Sequence, residues 1–175
     1  MSRKIIFVTG GARSGKSGFA LRDASAIDGK KAFIATATVS DEEMAHRIAL
    51  HKEDRGNGWD TFEEPIQIGD LLTAIECKYG IILVDCLTLW LSNVMTAGLD
   101  RENEIEKLIA SLVSLKSARL YIVSNEVGAG IVPDNELARR FRDAAGILNQ
   151  KVASISDEVY MTVAGIPIKI KGEDR

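Results

Sequence analysis

The segment Gly10-Gly11-Ala12-Arg13-Ser14-Gly15-Lys16-Ser17 restricts what this chain can fold into more than any other stretch of it. It satisfies the spacing G-x-x-x-x-G-K-[ST]. It lies between an apolar run, Ile5 to Thr9, that reads as a buried strand, and a segment with helical periodicity from Lys16 to about Ile27. A strand that turns through glycines into a helix aims backbone amides inward and presents the positive end of the helix dipole at the same place. Such a loop cradles the polyphosphate of a purine nucleoside triphosphate. Lys16 would hold its terminal phosphates, and Ser17 would offer a hydroxyl to Mg2+.

The remaining pattern is that of an α/β chain. Lys31 to Thr36, Ile81 to Val84 ending in Asp85, and Leu120 to Val123 ending in Ser124-Asn125-Glu126 read as further strands. Helices are expected from about Asp41 to Arg55, with Ser40 and Glu43 at capping-box spacing, and from Ile68 to about Lys78, Leu87 to Met95 and Glu102 to Ser114. A longer helix is expected from Asp134 to about Ser154, with Leu137, Phe141, Ala144, Ala145, Leu148 and Val152 on its core face. Trp59 to Gln67 is extended or irregular. Two last strands, Glu158 to Val163 and Pro167 to Lys171, are joined by a tight turn at Ala164-Gly165. Strands alternating with helices imply a mainly parallel sheet with helices on both faces, a C-terminal β-hairpin, and a ligand crevice at the carboxyl ends of the strands. Asp85, at such an end, suits the second carboxylate for magnesium, with a capping or turn role as the alternative.

Composition narrows the function. A length of 175 residues suits one domain over positions 1–175, and a 46% apolar, 27% charged composition is ordinary for a soluble globular protein. A net charge of −3 lacks the basic surplus of a dedicated nucleic-acid binder, so small-molecule partners are expected. No apolar run approaches the ~20 residues of a membrane span. Cys77 and Cys86 form no C-x-x-C pair, which fits a reducing cytoplasm.

His46 and His51 are the two histidines, and both fall on the helix expected from Asp41 to Arg55. Five residues turn a helix through about 500°, leaving the two side chains about 140° apart, which argues against a shared metal site. Arg47 and Arg55 flank His51 at i−4 and i+4. Neighbouring positive charge favours the neutral, nucleophilic imidazole, and the same guanidinium groups would stabilise charge on an attacked phosphate. On this pattern alone, packing remains the default role for His51.

Further residues carry a resemblance. The loop Thr9 to Ser17, Asp41-Glu42-Glu43-Met44, Arg47-Ile48, His51-Lys52 and Arg55, and Trp59-Asp60-Thr61-Phe62-Glu63 together resemble one family. So do Ser124-Asn125-Glu126-Val127-Gly128-Ala129-Gly130-Ile131-Val132-Pro133 and Ala138-Arg139-Arg140-Phe141-Arg142-Asp143. The family is the bifunctional adenosylcobinamide kinase / adenosylcobinamide-phosphate guanylyltransferase of cobalamin biosynthesis. The resemblance implies two reactions: phosphorylation of adenosylcobinamide by ATP or GTP, then transfer of GMP from GTP to adenosylcobinamide phosphate through a GMP-histidine intermediate. By matching position it makes His51 the nucleophile, with Lys52, Glu53, Asp54 and Arg55 beside it as nucleotide contacts. Glu63, Asp85 and the strand end Ile34-Ala35-Thr36 are implied as further nucleotide-binding positions. The resemblance also implies a core similar to RecA-like P-loop ATPases and a homo-oligomer, a trimer. The rival readings are a P-loop kinase for another small alcohol, with His51 structural, and a nucleotide-gated binding switch.

Overall fold

Side chains of β1 (Lys4–Gly10) alternate between two hydrophobic cores in the computed structural model, which describes residues 3–38 and 56–172. Ile5 and Phe7 enter one core, and Ile6 and Val8 the other. The same alternation runs through β2 (Lys31–Ala35), β4 (Ile81–Asp85) and β5 (Arg119–Asn125), where Ile34, Val84 and Ile122 share the face of Phe7 while Phe33, Leu83 and Tyr121 share that of Ile6. A strand needs this pattern when helices cover both sides of its sheet, since each buried aliphatic side chain stabilises by roughly 2 kcal/mol.

One face is covered, among the described residues, by α1 (Lys16–Ser25), whose fully buried Ala20 and Ala24 are small enough to lay the helix closely on the strands. The other face carries α2 (Ile68–Ile75), α3 (Leu87–Thr96), α4 (Arg101–Ser114) and α5 (Glu136–Ile155). Trp90 of α3 lies in the middle of this core and donates its indole N–H to the Ile66 carbonyl at 2.7 Å, so its one polar atom is satisfied. Asp100 caps α4 by accepting from the Glu102 and Asn103 amides, and Asn135 caps α5 by accepting from the Ala138 amide at 3.1 Å. The buried stripe of α5 is Ala144, Ala145, Leu148 and Val152, with Phe141 packed against its edge. Leu137, expected on that face, is 65% exposed instead, on the first turn of the helix.

With β3 spanning Asp60–Glu63, the strand order is β3-β2-β4-β5-β1-β6-β7, parallel except for the final pair of β6 (Glu158–Val163) and β7 (Ile166–Lys171). β3 (Asp60–Glu63) emerges from the segment the sequence left between extended and irregular, and pairs with the edge of β2. Register puts Gly10 opposite Asn125, and Ala35 opposite both Asp85 and Glu63, so the polar strand ends converge on one edge of the sheet as the sequence pattern implied. The helix expected from Asp41 to Arg55 lies outside the described residues.

At the opposite edge, Glu158 is nearly buried and accepts from Lys4 at 2.8 Å and from the Tyr160 hydroxyl at 3.2 Å, with Lys169 at 3.7 Å. Burial by itself pushes this carboxyl up, but the Lys4 hydrogen bond and charge, with help from Lys169 and Tyr160, outweigh it and hold Glu158 below the usual carboxylate range. A depressed carboxyl stabilises the fold above its unfolded-state pKa and loses that contribution as pH falls through its folded value. Glu158→Gln is therefore expected to lower the unfolding free energy at pH 7 by about 1–3 kcal/mol. Urea unfolding should show the gap to the wild type closing as the pH falls from the unfolded-state value through the folded one.

Candidate functional site

The turn out of β1 is built from unusual backbone conformations. Gly10 has φ 155°, and a methyl group there would stand 2.5 Å from the Thr162 hydroxyl and 2.6 Å from that of Ser14. Gly15 has φ 92° and is the N-cap of α1 with no side-chain hydrogen bond to the helix, so the first-turn amides have no side-chain cap there. Arg13, between them, is left-handed at φ 57° with its side chain exposed, as is that of Ala12. The Ser14 amide donates to the Gly11 carbonyl at 3.2 Å, closing the turn. Uncapped amides at a dipole's positive end attract an anion.

Lys16 folds back over this turn, its ammonium donating to the Gly11 carbonyl at 3.0 Å. It is 8% exposed, and burial holds its pKa below the ordinary lysine range, against the opposing pull of Cys86 and Asp85. A buried cation at an uncapped helix start is an arrangement a polyphosphate would stabilise. Ser17 follows, half-buried, in the first turn of α1.

The neighbouring strand ends divide by role. Ile34 is fully buried in the core and Ala35 partly so, and Thr36 is fully buried with its hydroxyl donating to the Cys86 carbonyl at 2.7 Å and accepting from the Cys86 amide at 2.8 Å. Asn93 of α3 donates to the Thr36 carbonyl at 2.8 Å and to that of Pro65 at 3.1 Å. Thr36 and Asn93 thus fasten β2 to the turn after β4, and the Thr36 hydroxyl is committed to that structure. Asp85 is half-buried at the end of β4, close enough to Lys16 to act on its charge, and Glu63 is exposed at the end of β3. The Cys86 thiol, buried beside Asp85, is pushed up to about 11 by burial first and the carboxylate second, so it stays protonated and unreactive.

The segment 124–133, distinctive in the sequence, begins beside the loop: the Glu126 amide donates to the Gly10 carbonyl at 2.9 Å. Thr88 receives the Asn125 amide at 2.6 Å and meets Ser124 at 3.2 Å, while Asn149 of α5 donates to the Asn125 carbonyl at 3.1 Å. A cavity of about 360 Å³ between α3 and α5, lined by residues including Met95, Leu137 and Phe141, contains none of the loop residues.

Of the residues singled out in the sequence, Gly10, Gly11, Ala12, Arg13, Ser14, Gly15, Lys16 and Ser17 form one turn, with Asp85 nearby. His51, Lys52, Glu53, Asp54 and Arg55 lie outside the described residues. Sequence reasoning missed Thr162 and Gly165, which touch the loop from the C-terminal hairpin: Ser14 Oγ lies 2.7 Å from Thr162 Oγ1, and the Gly165 amide donates to the Ser14 carbonyl at 2.9 Å. The hairpin itself was legible, but its position beside β1 was not.

Comparison with known proteins agrees with this geometry. The family model for cobinamide kinase / cobinamide phosphate guanyltransferase matches residues 6–170. The chain is 44% identical over 169 residues to the bifunctional adenosylcobalamin biosynthesis protein CobP of Pseudomonas aeruginosa, covering 95% of this chain and 96% of that protein. It is 41% identical over 185 residues to the bifunctional adenosylcobalamin biosynthesis protein CobU of Salmonella typhimurium, covering 95% and 99%. Among solved structures, the flagellar accessory protein FlaH of Methanocaldococcus jannaschii superposes with a TM-score of 0.53 at 10% identity over 97% of this chain and 79% of that one. A type III secretion system ATPase superposes with a TM-score of 0.55 at 11% identity over 90% and 50%. These two carry the fold, a RecA-like P-loop core.

Because Lys16 loses its proton at lower pH than an ordinary lysine, triphosphate affinity is expected to decline on the alkaline side before pH 10.5, the ordinary value. Titrating GTP between pH 7 and 10 checks this. Lys16→Met should bind at least about tenfold more weakly at pH 7 and show no decline over the same range.

Proposed function

The chain belongs to the cobinamide kinase / cobinamide phosphate guanyltransferase family, and from that premise we propose that it phosphorylates adenosylcobinamide and then transfers GMP from GTP to the resulting phosphate. The observation that carries the proposal is the 10–17 turn, with Lys16 buried over it, in a chain the family model matches from residue 6 to 170.

In the kinase step the aminopropanol hydroxyl oxygen of adenosylcobinamide attacks the γ-phosphorus of ATP or GTP, and the nucleoside diphosphate leaves. Lys16 and the loop amides hold the β- and γ-phosphates and stabilise the charge on the oxygens of the transferred group. In the second step a ring nitrogen of His51 attacks the α-phosphorus of GTP, forming a phosphorus–nitrogen bond and expelling pyrophosphate. A phosphate oxygen of adenosylcobinamide phosphate then attacks the same phosphorus, and the bond to His51 breaks. At the helical spacing expected from the sequence, Arg47 and Arg55 would bias the imidazole toward its neutral form before attack. Lys52, Glu53, Asp54, Arg55 and Glu63, with the strand end at Ile34, Ala35 and Thr36, complete the nucleotide site in this reading. Ile34 and Thr36 are buried and bonded to neighbouring strands and to Asn93, so they shape this end of the site rather than offer side chains to the ligand.

Among the described residues no group of three or more His, Cys, Asp or Glu side chains could hold a metal ion. Magnesium bound to a nucleotide requires only one or two protein oxygens. Ser17 and Asp85, flanking Lys16 in sequence and in charge respectively, fit that need and would hold it. When bound, the ion would neutralise part of the triphosphate charge.

A homo-oligomer in the cytoplasm, a trimer by resemblance, belongs to the same reading. It is supported by the exposed apolar stripe of Ile166, Ile168 and Ile170, alternate residues on one face of the edge strand β7. No described helix is long and apolar enough to cross a membrane.

Incubation with Mg2+ and GTP labelled at the α-phosphate, followed by denaturation, is expected to leave acid-labile label on the wild type and on His46→Ala, and none on His51→Ala. Absence of label on the wild type would overturn the guanylyl-transfer half of the proposal while leaving the kinase half to be assayed by product formation.

A further inference from the structure

The 10–17 loop is joined to the β6–β7 hairpin by contacts that sheet pairing alone does not require. Thr162 lies opposite Gly10 in the parallel register of β6 with β1, and its hydroxyl is 2.7 Å from Ser14 Oγ. The same Thr162 hydroxyl donates to the Thr9 carbonyl at 3.3 Å, which makes Ser14 the donor in their pair and completes a relay from the loop through β6 to β1. Beyond Thr162, the Gly165 amide donates to the Ser14 carbonyl at 2.9 Å, so Ser14 is held by both its side chain and its main chain. A methyl group on Gly15 would stand 3.0 Å from Gly165 Cα, which shows how closely the turn of the hairpin presses on the start of α1. Below, Phe19 of α1 packs against Tyr160 with ring centroids 5.0 Å apart, so the contact continues into the helix.

These residues solve a physical problem. Gly10, Arg13 and Gly15 all hold positive φ, and the turn's own bonds, from the Ser14 amide and the Lys16 ammonium, both end on the Gly11 carbonyl and leave the Ser14 side chain and carbonyl to be held from outside. A loop ordered only on arrival of the nucleotide would charge that ordering against binding. Thr162 is 1% exposed, so it acts on a ligand only through Ser14. We propose that Thr162, with the Ala164-Gly165 turn, is a positioning element that holds Ser14, and through it the loop amides, in the anion-binding shape before the nucleotide arrives. The inference rests on the reading of this loop as the triphosphate site.

The test is a double-mutant cycle on the full chain with GTP binding as readout. Thr162→Val keeps the shape of the side chain and removes its hydroxyl. It is expected to weaken binding by about tenfold and to raise the KM for GTP by a similar factor with kcat changed less than about twofold. Thr162→Ser is expected to restore binding, and Ser14→Ala with Thr162→Val is expected to bind no more weakly than the worse single variant. Should Thr162→Val fail to fold, Ser14→Ala removes the same hydroxyl pair from the loop side and carries the same expectation. Binding by Thr162→Val within twofold of the wild type, no rescue by serine, or losses that multiply in the double variant would each overturn the positioning role while leaving the loop as the triphosphate site. A wild-type chain that binds no GTP would overturn both.

Discussion

Placement of β1 between β5 and β6 is the constraint on which the rest of the molecule depends. β1 is paired on both edges and buried on both faces, so neither its register nor its facing can shift without exposing an entire apolar set. That rigidity fixes where its last residue, Gly10, stands relative to Asn125 and Thr162. The loop that follows therefore starts from a fixed point, with the end of β5 on one side and the C-terminal hairpin on the other. Both neighbours bond back to it, Glu126 to the Gly10 carbonyl and Gly165 to that of Ser14.

Against this regular frame, the site breaks local rules. A lysine is buried, a helix begins without a side-chain cap, and a non-glycine residue, Arg13, sits at positive φ. Side-chain caps are not general in this chain: Asp100 caps α4 and Asn135 caps α5, whereas α2 and α3, like α1, begin without one. What sets this turn apart is the coincidence of a buried lysine, an uncapped helix start and a left-handed arginine, which marks a place where a ligand supplies what the protein withholds. The charge of Lys16, disfavoured by burial, and the α1 amides without a side-chain cap ask for the same anion.

Much of the fold was legible because burial on two faces leaves a continuous apolar signature. Ile5 to Val8 and Ile81 to Val84 could be read as central strands at sight, and helix starts at Ile68 and Leu87 followed from periodicity. Periodicity misled at Leu137, which lines the cavity beside Met95 and Phe141 and stays 65% exposed instead of entering the core. β3 was hard to read because an edge strand of four residues, mostly exposed, carries almost no apolar pattern. The loop was legible down to Ser17 because its chemistry demands particular residues at particular spacing, whereas its brace was not, since a threonine in a strand serves many purposes.

The sequence by itself determined the class of the protein and the position of its candidate phosphate-binding turn, because glycine, lysine and serine at that spacing follow from backbone conformation and charge, both local properties. Family membership was likewise written in the side chains of 124–133 and the segments around it. Tertiary structure alone decided that Thr36 and Asn93 fasten β2 to the turn after β4, that Asp85 acts on Lys16, and that Thr162 and Gly165 support Ser14. The two Ser14 contacts join residues about 150 positions apart, and they exist because β6, next after β5 in sequence, pairs with β1 instead. Strand order is set by the packing of the whole sheet, a global balance of buried surface that no local pattern encodes.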